Sequence, residues 1–159
     1  AGGSAVLLLA AFVFQALGYA PCAMCIWQRY PHGVAIAAGA LLAVGMSPVG
    51  LMVIGAAAAA TTSAIGVFHT GVERDWWQGP TSCTGSGLDL SNLSGSDLLP
   101  SASSGPSTLV MCDEVAWEFL TLSMASWNAL WSAALVGLWL LAFAREWQHR
   151  QAQSTYSAT

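Results

Sequence analysis

Long stretches without charged side chains constrain this chain more than any other feature of its sequence. Between residues 1 and 72 the only side chain ionised at neutral pH is Arg29, and between residues 119 and 144 there is none. Only 8% of the residues are charged and 55% are apolar, whereas about a quarter are charged in a typical soluble domain. Uncharged stretches of this length are typical of membrane-spanning helices, so we predict an all-α membrane protein.

Breaks between the apolar stretches divide the chain into four candidate spans within a single domain, residues 1–159. We predict spans at about residues 4–19, 31–46, 49–68 and 122–144. Pro31 is expected in the first turn of the second span, because proline lacks the backbone N–H that a helix interior requires. Alanine fills residues 56–60 of the third span, and such small side chains allow helices to pack closely. The predicted fold is a four-transmembrane-helix bundle.

The remaining segments form the predicted extracytoplasmic loops, at about residues 20–30 and 70–121. Residues 82–107 are dominated by Ser, Gly and Pro, which predicts a mobile, solvated loop. Within residues 113–122 apolar side chains recur at helical spacing, so we predict a short helix at the membrane interface. The residues that carry this spacing are Val115, Phe119 and Leu122.

The few charges set the expected orientation and exclude one class of partner. Arg145 and Arg150 follow the last span, and the positive-inside rule retains such residues in the cytoplasm. With an even number of spans both termini are cytoplasmic, and both cysteine-bearing loops then face the opposite, oxidising side. The net charge is -4 and the chain contains no lysine, so it offers no basic surface for nucleic acid.

The four cysteines are arranged as one close pair and one distant pair. Cys22 and Cys25 form a C-x-x-C pair at the start of a predicted helix, whose N–H groups and dipole favour a thiolate. Cys83 and Cys112 lie at either end of the Ser/Gly-rich segment. A zinc site normally needs a second close pair, and a structural disulfide across so short a loop adds little restraint. We favour a redox relay, in which thiolates attack disulfides and pass electrons between the pairs.

Several polar side chains near the cysteines have two interpretations each. Arg29 lies four residues after Cys25 on the same helical face, where its charge would stabilise a thiolate or the oxygen of a reduced quinone. The alternative is an arginine that reaches the lipid headgroups. His32 and His69 lie at predicted span ends, where a proton relay competes with a simple interfacial hydrogen bond. Asn128, inside the last span, is expected to bond a neighbouring helix.

Aromatic side chains flank the cysteine segments: Trp27, Tyr30, Trp76 and Trp77. Rings in these places would sandwich a quinone, yet Trp and Tyr also gather wherever a helix crosses the membrane interface. We expect them to be interfacial belt residues.

Two segments and the cysteine spacing together resemble a known family. Residues 21–29 read PCAMCIWQR, residues 117–120 read WEFL, and two further cysteines share one long loop. This combination is similar to the family of disulfide bond formation protein B over essentially the whole chain. The resemblance implies a multi-pass protein of the bacterial inner membrane with its cysteine loops in the periplasm. It also implies a quinone-linked enzyme that reoxidises a thioredoxin-fold thiol oxidase.

The resemblance further implies a role for each cysteine. Cys83 would form a mixed disulfide with the soluble thioredoxin-fold oxidase, and Cys112 would resolve it. Cys22 and Cys25 would pass the electrons onward to ubiquinone or menaquinone.

The quinone site implied by the resemblance contains Cys25, Arg29 and His69. The resemblance implies no metal site. Two other functions remain open: a membrane conduit that carries reducing equivalents outward, and a non-enzymatic four-helix membrane protein that binds metal through cysteine. All four cysteines fall in or beside loops on one side of the predicted bundle, which favours the oxidase over the conduit.

Overall fold

The structure is a computed structural model that describes residues 1–80, 83 and 111–157. In these residues the chain forms four helices and one short β-hairpin. The elements are α1 Gly2–Ala16, α2 Ala23–Ala43, α3 Pro48–Glu73, β1 Glu118–Phe119, β2 Leu122–Ser123 and α4 Met124–Ser157. Helix α3 packs against both α2 and α4, and α1 packs mainly against α2. Apart from Cys83, the loop predicted for residues 82–107 lies outside the described residues.

The helices expose large apolar side chains over much of their surface. Leu138 and Leu141 on the outside of α4 are 61% and 59% exposed, and extended apolar surfaces of this kind mark contact with a membrane or a partner. Helices α3 and α4 are long and apolar enough to cross a membrane, whereas the apolar α1 has 15 residues. The arrangement of four spans stays a prediction.

Three helices end through a residue in the left-handed conformation, which lets the chain turn away from the helix axis. Gly18, Gly45 and Asp75 have φ angles of 102°, 85° and 57°. Beyond α2, for example, the Gly45 N–H donates to the Leu42 carbonyl at 3.0 Å. These bonds pair carbonyls that the last turn of a helix leaves unsatisfied. The turn at Gly45 therefore makes the short connection between α2 and α3 possible.

Helix α2 begins directly after Cys22, well before the predicted start of the second span, and the placement of Pro31 in its first turn was wrong. The Cys22 side chain accepts a hydrogen bond from the Cys25 backbone N–H at 3.3 Å and caps the helix, which explains the early start. Pro31 lies inside the helix. Helix α3 supports the neighbouring backbone, because the Thr62 hydroxyl donates to the Gln28 carbonyl at 3.1 Å. Such help from adjacent helices makes proline tolerable within membrane helices.

The short helix predicted within residues 113–122 is also wrong, because this segment forms the β-hairpin. The strands pair antiparallel in the register Glu118 to Ser123 and Phe119 to Leu122. The connecting residues Leu120 and Thr121 have φ angles of 53° and 62°, as a two-residue hairpin turn requires and an α-helix excludes. Arg74 at the end of α3 donates to the Thr121 carbonyl at 3.0 Å. The spacing of apolar residues, which predicted a helix here, carries no information about this contact with α3.

Small side chains pack the centre of the bundle, as the alanine run predicted. Ala38 of α2, Ala59 of α3 and Trp139 of α4 are buried together, and we call this group the alanine core. Gly55 lies so close to the Trp139 indole that an added methyl group would overlap the ring. The close helix packing predicted from residues 56–60 is therefore confirmed.

Helices α3 and α4 continue beyond the apolar segments that predicted them. Helix α3 extends to Glu73 and so carries His69 on its last turns. Helix α4 continues to Ser157 through a polar segment that begins at Arg145. That segment contains Arg, Glu and Gln, which favour helix without being apolar. Hydropathy locates the apolar part of such helices and misses their polar ends.

Candidate functional site

All four cysteines meet at one end of the bundle. Cys22, Cys83 and Cys112 are buried together with Val72 of α3, and Cys25 packs against them; we call this group the cysteine cluster. Cys83 and Cys112 form a disulfide with their Cα atoms 5.3 Å apart. Cys22 and Cys25 are free thiols whose sulfur atoms lie 3.0 Å apart. The fold thus brings together two pairs that are far apart in the sequence.

The two pairs are close enough to exchange a disulfide with only small movements. The sulfur atoms of Cys22 and Cys112 and an imidazole nitrogen of His69 all lie within 4.8 Å of one another. Disulfide exchange proceeds by attack of one sulfur on another, so it requires this proximity. The same three atoms have a spacing that suits a metal ion, but the Cys112 sulfur is bonded to Cys83 here and is not a thiolate ligand.

Cys22 is placed to carry negative charge. Its sulfur faces the Cys25 thiol at 3.0 Å, the Cys25 backbone N–H at 3.3 Å and His69 Nε2 at 3.5 Å. The hydrogen bond with the Cys25 thiol, followed by that with His69, outweighs burial and holds the pKa of the Cys22 thiol well below its usual range. A thiolate with several donors is the reactive form of a cysteine. The thiolate expected from the C-x-x-C pair therefore falls on Cys22.

His69 joins this thiol to groups on α2, α3 and the hairpin. Its Nδ1 lies 3.0 Å from the Gln28 side-chain nitrogen, and its Nε2 lies 3.8 Å from Glu73. Ser123 of β2 in turn donates a short hydrogen bond to Glu73. The imidazole is buried, so its orientation is set by these contacts rather than by solvent.

A cavity of about 410 Å³ opens beside the cysteine cluster, and Cys22, Cys25, Arg29 and His69 all line it. Much of its apolar wall comes from α1, the hairpin and α4, with Leu7, Leu8, Phe14, Trp117, Phe119 and Trp127 among the contributors. The Phe14 and Trp117 rings pack with centroids 5.0 Å apart. Apolar cavities with a few polar groups and a volume of about 300–1,000 Å³ are typical of small-molecule sites.

Arg29 is attached to α1 and faces the same cavity as Cys25. Its Nη1 donates to the Gln15 side-chain oxygen at 2.7 Å, and its guanidinium lies 4.9 Å from the centre of the Phe12 ring. Its Nε is buried and has no hydrogen-bond partner among the described residues. The structure therefore brings Arg29 and Cys25 to one cavity, and one guanidinium N–H has no partner among the described residues.

Some residues of the site were not anticipated from the sequence. The aromatic wall is made by other rings than Trp27, Tyr30, Trp76 and Trp77, which are at least 41% exposed. Gln28 and Asn128 bond across α2 and α4, with the Asn128 amide nitrogen 2.6 Å from the Gln28 side-chain oxygen. The helix contact expected for Asn128 is confirmed. The sequence had not indicated a role for Gln28. The sequence signal for Gln28 is an amide inside an apolar helix, three residues before Pro31.

The family comparison covers all the residues of this site. The family model described as disulfide bond formation protein DsbB matches residues 1–142, which include every residue of the cysteine cluster together with Arg29 and His69. No curated protein sequence and no solved structure matches the chain significantly. The resemblance drawn from residues 21–29 and 117–120 is thereby confirmed: the chain belongs to the DsbB family of membrane thiol-disulfide oxidoreductases, which act in disulfide bond formation.

Proposed function

We propose that this protein passes electrons from the dithiol of a periplasmic thioredoxin-fold oxidase to a membrane quinone, either ubiquinone or menaquinone. The observation that carries the proposal is the meeting of both cysteine pairs beside one apolar cavity. One pair reacts with the partner protein and the other faces the cavity. The enzyme thereby regenerates the disulfide of its partner.

The first transfer takes place at the loop disulfide. A partner thiolate attacks Cys83, the second partner thiol resolves the mixed disulfide, and the partner leaves oxidised while Cys83 and Cys112 become thiols. Cys83 is only 3% exposed, so this step requires that the Cys83 sulfur become accessible to the partner thiolate.

The second transfer takes place between the pairs, with Cys22 and Cys25 starting as a disulfide. The Cys112 thiolate attacks the Cys22 sulfur, and Cys25 leaves as a thiolate. Cys83 then attacks Cys112, which restores the loop disulfide and releases Cys22. The distance between the Cys22 and Cys112 sulfur atoms, within 4.8 Å, supports this choice of reacting atoms.

The cavity residues fit a quinone ring. The buried Arg29 Nε has no described partner, and a buried donor of this kind is costly unless an acceptor such as a ring oxygen pairs with it. The aromatic wall offers apolar contacts to a ring, and His69 Nε2 lies 3.5 Å from the Cys22 sulfur at the same cavity. A quinone bound here accepts two electrons and two protons and leaves Cys22 and Cys25 as a disulfide.

The proposed orientation follows from the arginines of the tail. With Arg145 and Arg150 in the cytoplasm and four spans, the cysteine cluster lies at the periplasmic face of the inner membrane. A probe that cannot cross the membrane should then label a cysteine introduced at residue 95 and not one introduced at residue 150. The reverse pattern would contradict the orientation.

The decisive experiment is anaerobic quinol formation by the purified protein, supplied with a reduced thioredoxin-fold dithiol and a soluble quinone. We expect one quinol per partner disulfide formed. A protein that instead consumes quinol and reduces the partner would be the outward conduit. Absence of any electron transfer, with binding of zinc by the reduced chain, would favour the metal-binding alternative.

Trapping tests the order of the cysteines. In Cys112→Ser the lone Cys83 thiolate attacks the disulfide of an oxidised partner and displaces one partner thiol. Because Cys112 is absent and cannot displace the partner in turn, a complex should accumulate on non-reducing gels. In Cys83→Ser that complex should be absent while quinone binding persists. Efficient trapping through Cys22 in the absence of Cys83 would reverse the proposed direction of electron flow.

A further inference from the structure

A buried hydrogen-bond network connects the cysteine cluster to the middle of the bundle. Its members come from three helices: Gln28 and His32 of α2, Thr62 and His69 of α3, and Asn128 and Ser132 of α4. Nearly every polar atom in it has a partner within 3.4 Å. Because an imidazole and an amide each have a donor side and an acceptor side, such a network can have only a few proton arrangements.

The donor and acceptor roles along the network follow from the Thr62 hydroxyl. The Thr62 hydroxyl lies 3.1 Å from the backbone carbonyl of Gln28, and a carbonyl only accepts, so Thr62 is the donor of that bond. The Thr62 oxygen must then accept from Asn128, 3.1 Å away. The Asn128 atom on that side is therefore its NH₂ group, and its oxygen faces His32 Nε2 at 2.9 Å.

The orientation of the Asn128 amide determines that of Gln28, which in turn determines which nitrogen of His69 carries the proton. The Asn128 NH₂ also donates to the Gln28 side-chain oxygen at 2.6 Å. This places the Gln28 NH₂ on the other side, where it donates to His69 Nδ1 at 3.0 Å. A ring nitrogen that accepts a hydrogen bond carries no proton, so the proton of the neutral His69 ring is on Nε2, the atom that faces the Cys22 sulfur.

We propose that Gln28 and Asn128 are positioning residues that hold His69 in its Nε2–H tautomer, so that the ring donates to the Cys22 sulfur. The role of Cys22 in electron transfer rests on the proposed function, but the tautomer does not. Neither amide touches a cysteine sulfur in the described contacts, and Asn128 acts only through Gln28.

The opposite tautomer would harm the thiolate. With the proton on Nδ1, the lone pair of Nε2 would face the Cys22 sulfur and repel its negative charge. The other ionisable groups around this ring are Glu73 of α3 and, beside Cys22, the Cys25 thiol, and the backbone of Cys112 also faces the ring. An ionised Glu73, whose carboxylate oxygen lies 3.8 Å from Nε2, also favours a proton on that nitrogen.

The first measurement is nitrogen-15 NMR of histidine-labelled protein, in which the ring shifts and couplings distinguish the two tautomers. His69→Asn identifies the signals of His69. We expect the wild type to be in the Nε2–H form, and Gln28→Met, which fills the same space without polar atoms, to populate both forms.

The second measurement is the pH profile of Cys22 alkylation in the fully reduced protein, read at the level of the peptide by mass spectrometry. Below the thiol pKa the rate follows the thiolate fraction, so a rise of one unit in the Cys22 pKa slows its alkylation by about tenfold. We expect about this slowing in Gln28→Met. Gln28→Glu should retain the fast reaction, because a carboxylate beside Nδ1 draws a second proton onto the ring while Nε2–H remains.

A matched pair on α3 guards against loss of folding in Gln28→Met. Thr62→Val removes the hydroxyl that orients Asn128 at nearly constant volume, and we expect a mixed His69 tautomer and slower Cys22. Thr61→Val removes an exposed hydroxyl that bonds only its own helix, to the Ala57 carbonyl, and should change neither measurement.

The proposal is overturned if wild-type His69 carries its proton on Nδ1. It is equally overturned if folded Gln28→Met, or Thr62→Val where the former does not fold, keeps both the wild-type tautomer and the wild-type Cys22 profile. These readouts need no quinone and no partner. A chain that forms no quinol but shows the expected tautomer shifts would therefore disprove the proposed function and leave this inference standing.

Discussion

The cysteine cluster and the alanine core are both buried, yet different forces hold them together. The alanine core is a contact of small side chains with one indole, and it contains no hydrogen bond between its members. The cysteine cluster is held by a disulfide and by a polar contact from His69, which Glu73 approaches in turn at 3.8 Å. Packing in lipid depends on close surfaces and dispersion, whereas a reactive sulfur needs donors at defined distances.

The comparison separates residues that hold the helices together from residues that make the chemistry possible. A change in the alanine core should lower stability and leave the activity of each folded molecule intact. A change at the cysteine cluster should do the opposite. A variant of either group that lowered both stability and activity would contradict this distinction.

The largest expected effect is the loss of all electron transfer to quinone in Cys22→Ser. The exchange between the pairs needs the Cys22 sulfur. The serine hydroxyl is similar in size to the thiol, so the variant should keep the fold. Quinol formation measures the loss, and unfolding followed by circular dichroism measures the stability. As a matched variant, Cys25→Ser should also be inactive but accumulate a Cys22–Cys112 disulfide, visible by peptide mapping. Residual turnover in Cys22→Ser would show a route that bypasses this sulfur.

In the alanine core we expect a large loss of stability from a single methyl group. An added Cβ at Gly55 would meet the Trp139 ring at 2.5 Å, and overpacking of this kind costs roughly 1–3 kcal/mol. Gly50→Ala is the control on the same helix, because a Cβ there meets no atom within 4 Å and alanine favours helix over glycine. Unfolding in mixed micelles gives both values. Equal stability of Gly55→Ala and Gly50→Ala would contradict the close contact.

The sequence predicted the cysteine cluster better than its surroundings. Charge-free segments, the C-x-x-C pair and the family resemblance pointed to Cys22, Cys25, Arg29 and His69, and the structure brings these residues to one cavity. These features are local or are carried by single residues. The pairing of Cys83 with Cys112 was left open by spacing and expected only from the resemblance.

What the sequence could not predict depends on contacts between distant segments. The turn at Leu120 and Thr121 is held by Arg74, and Pro31 sits in a helix that α3 supports. Gln28 has a role only because α3 and α4 present His69 and Asn128 to it. The rotation of each helix about its axis decides such contacts, and weakly periodic apolar segments do not reveal that rotation.

A smaller effect is expected from Arg29, which belongs to the cavity rather than to the cysteine cluster. In Arg29→Ala the loss of a donor to a quinone oxygen should lower kcat/KM for quinone by about tenfold or more, equivalent to about 1.4 kcal/mol or more. Arg29→Lys keeps the charge without the fork of N–H groups and should retain part of the activity. The rate of exchange between the pairs, followed by rapid acid quench, should stay at the wild-type value. Unchanged quinone kinetics in Arg29→Ala would leave Arg29 as an anchor that links α2 to Gln15 of α1.

The smallest effect is expected at the end of α4, far from both clusters. Arg150 pairs with Glu146 at 2.8 Å, and their side chains are 48% and 30% exposed. Solvent screens an exposed pair four residues apart on a helix, so Arg150→Ala should cost no more than about 0.5 kcal/mol. Quinol formation should be unchanged, because the pair touches neither sulfur nor cavity, and the orientation should persist because Arg145 keeps a positive charge beside the last apolar segment. Unfolding in mixed micelles at low and high salt checks the first expectation, and labelling of a cysteine at residue 95 from outside the membrane checks the last. A loss of stability comparable to that of Gly55→Ala would mean that the polar end of α4 makes tertiary contacts as important as those of the alanine core.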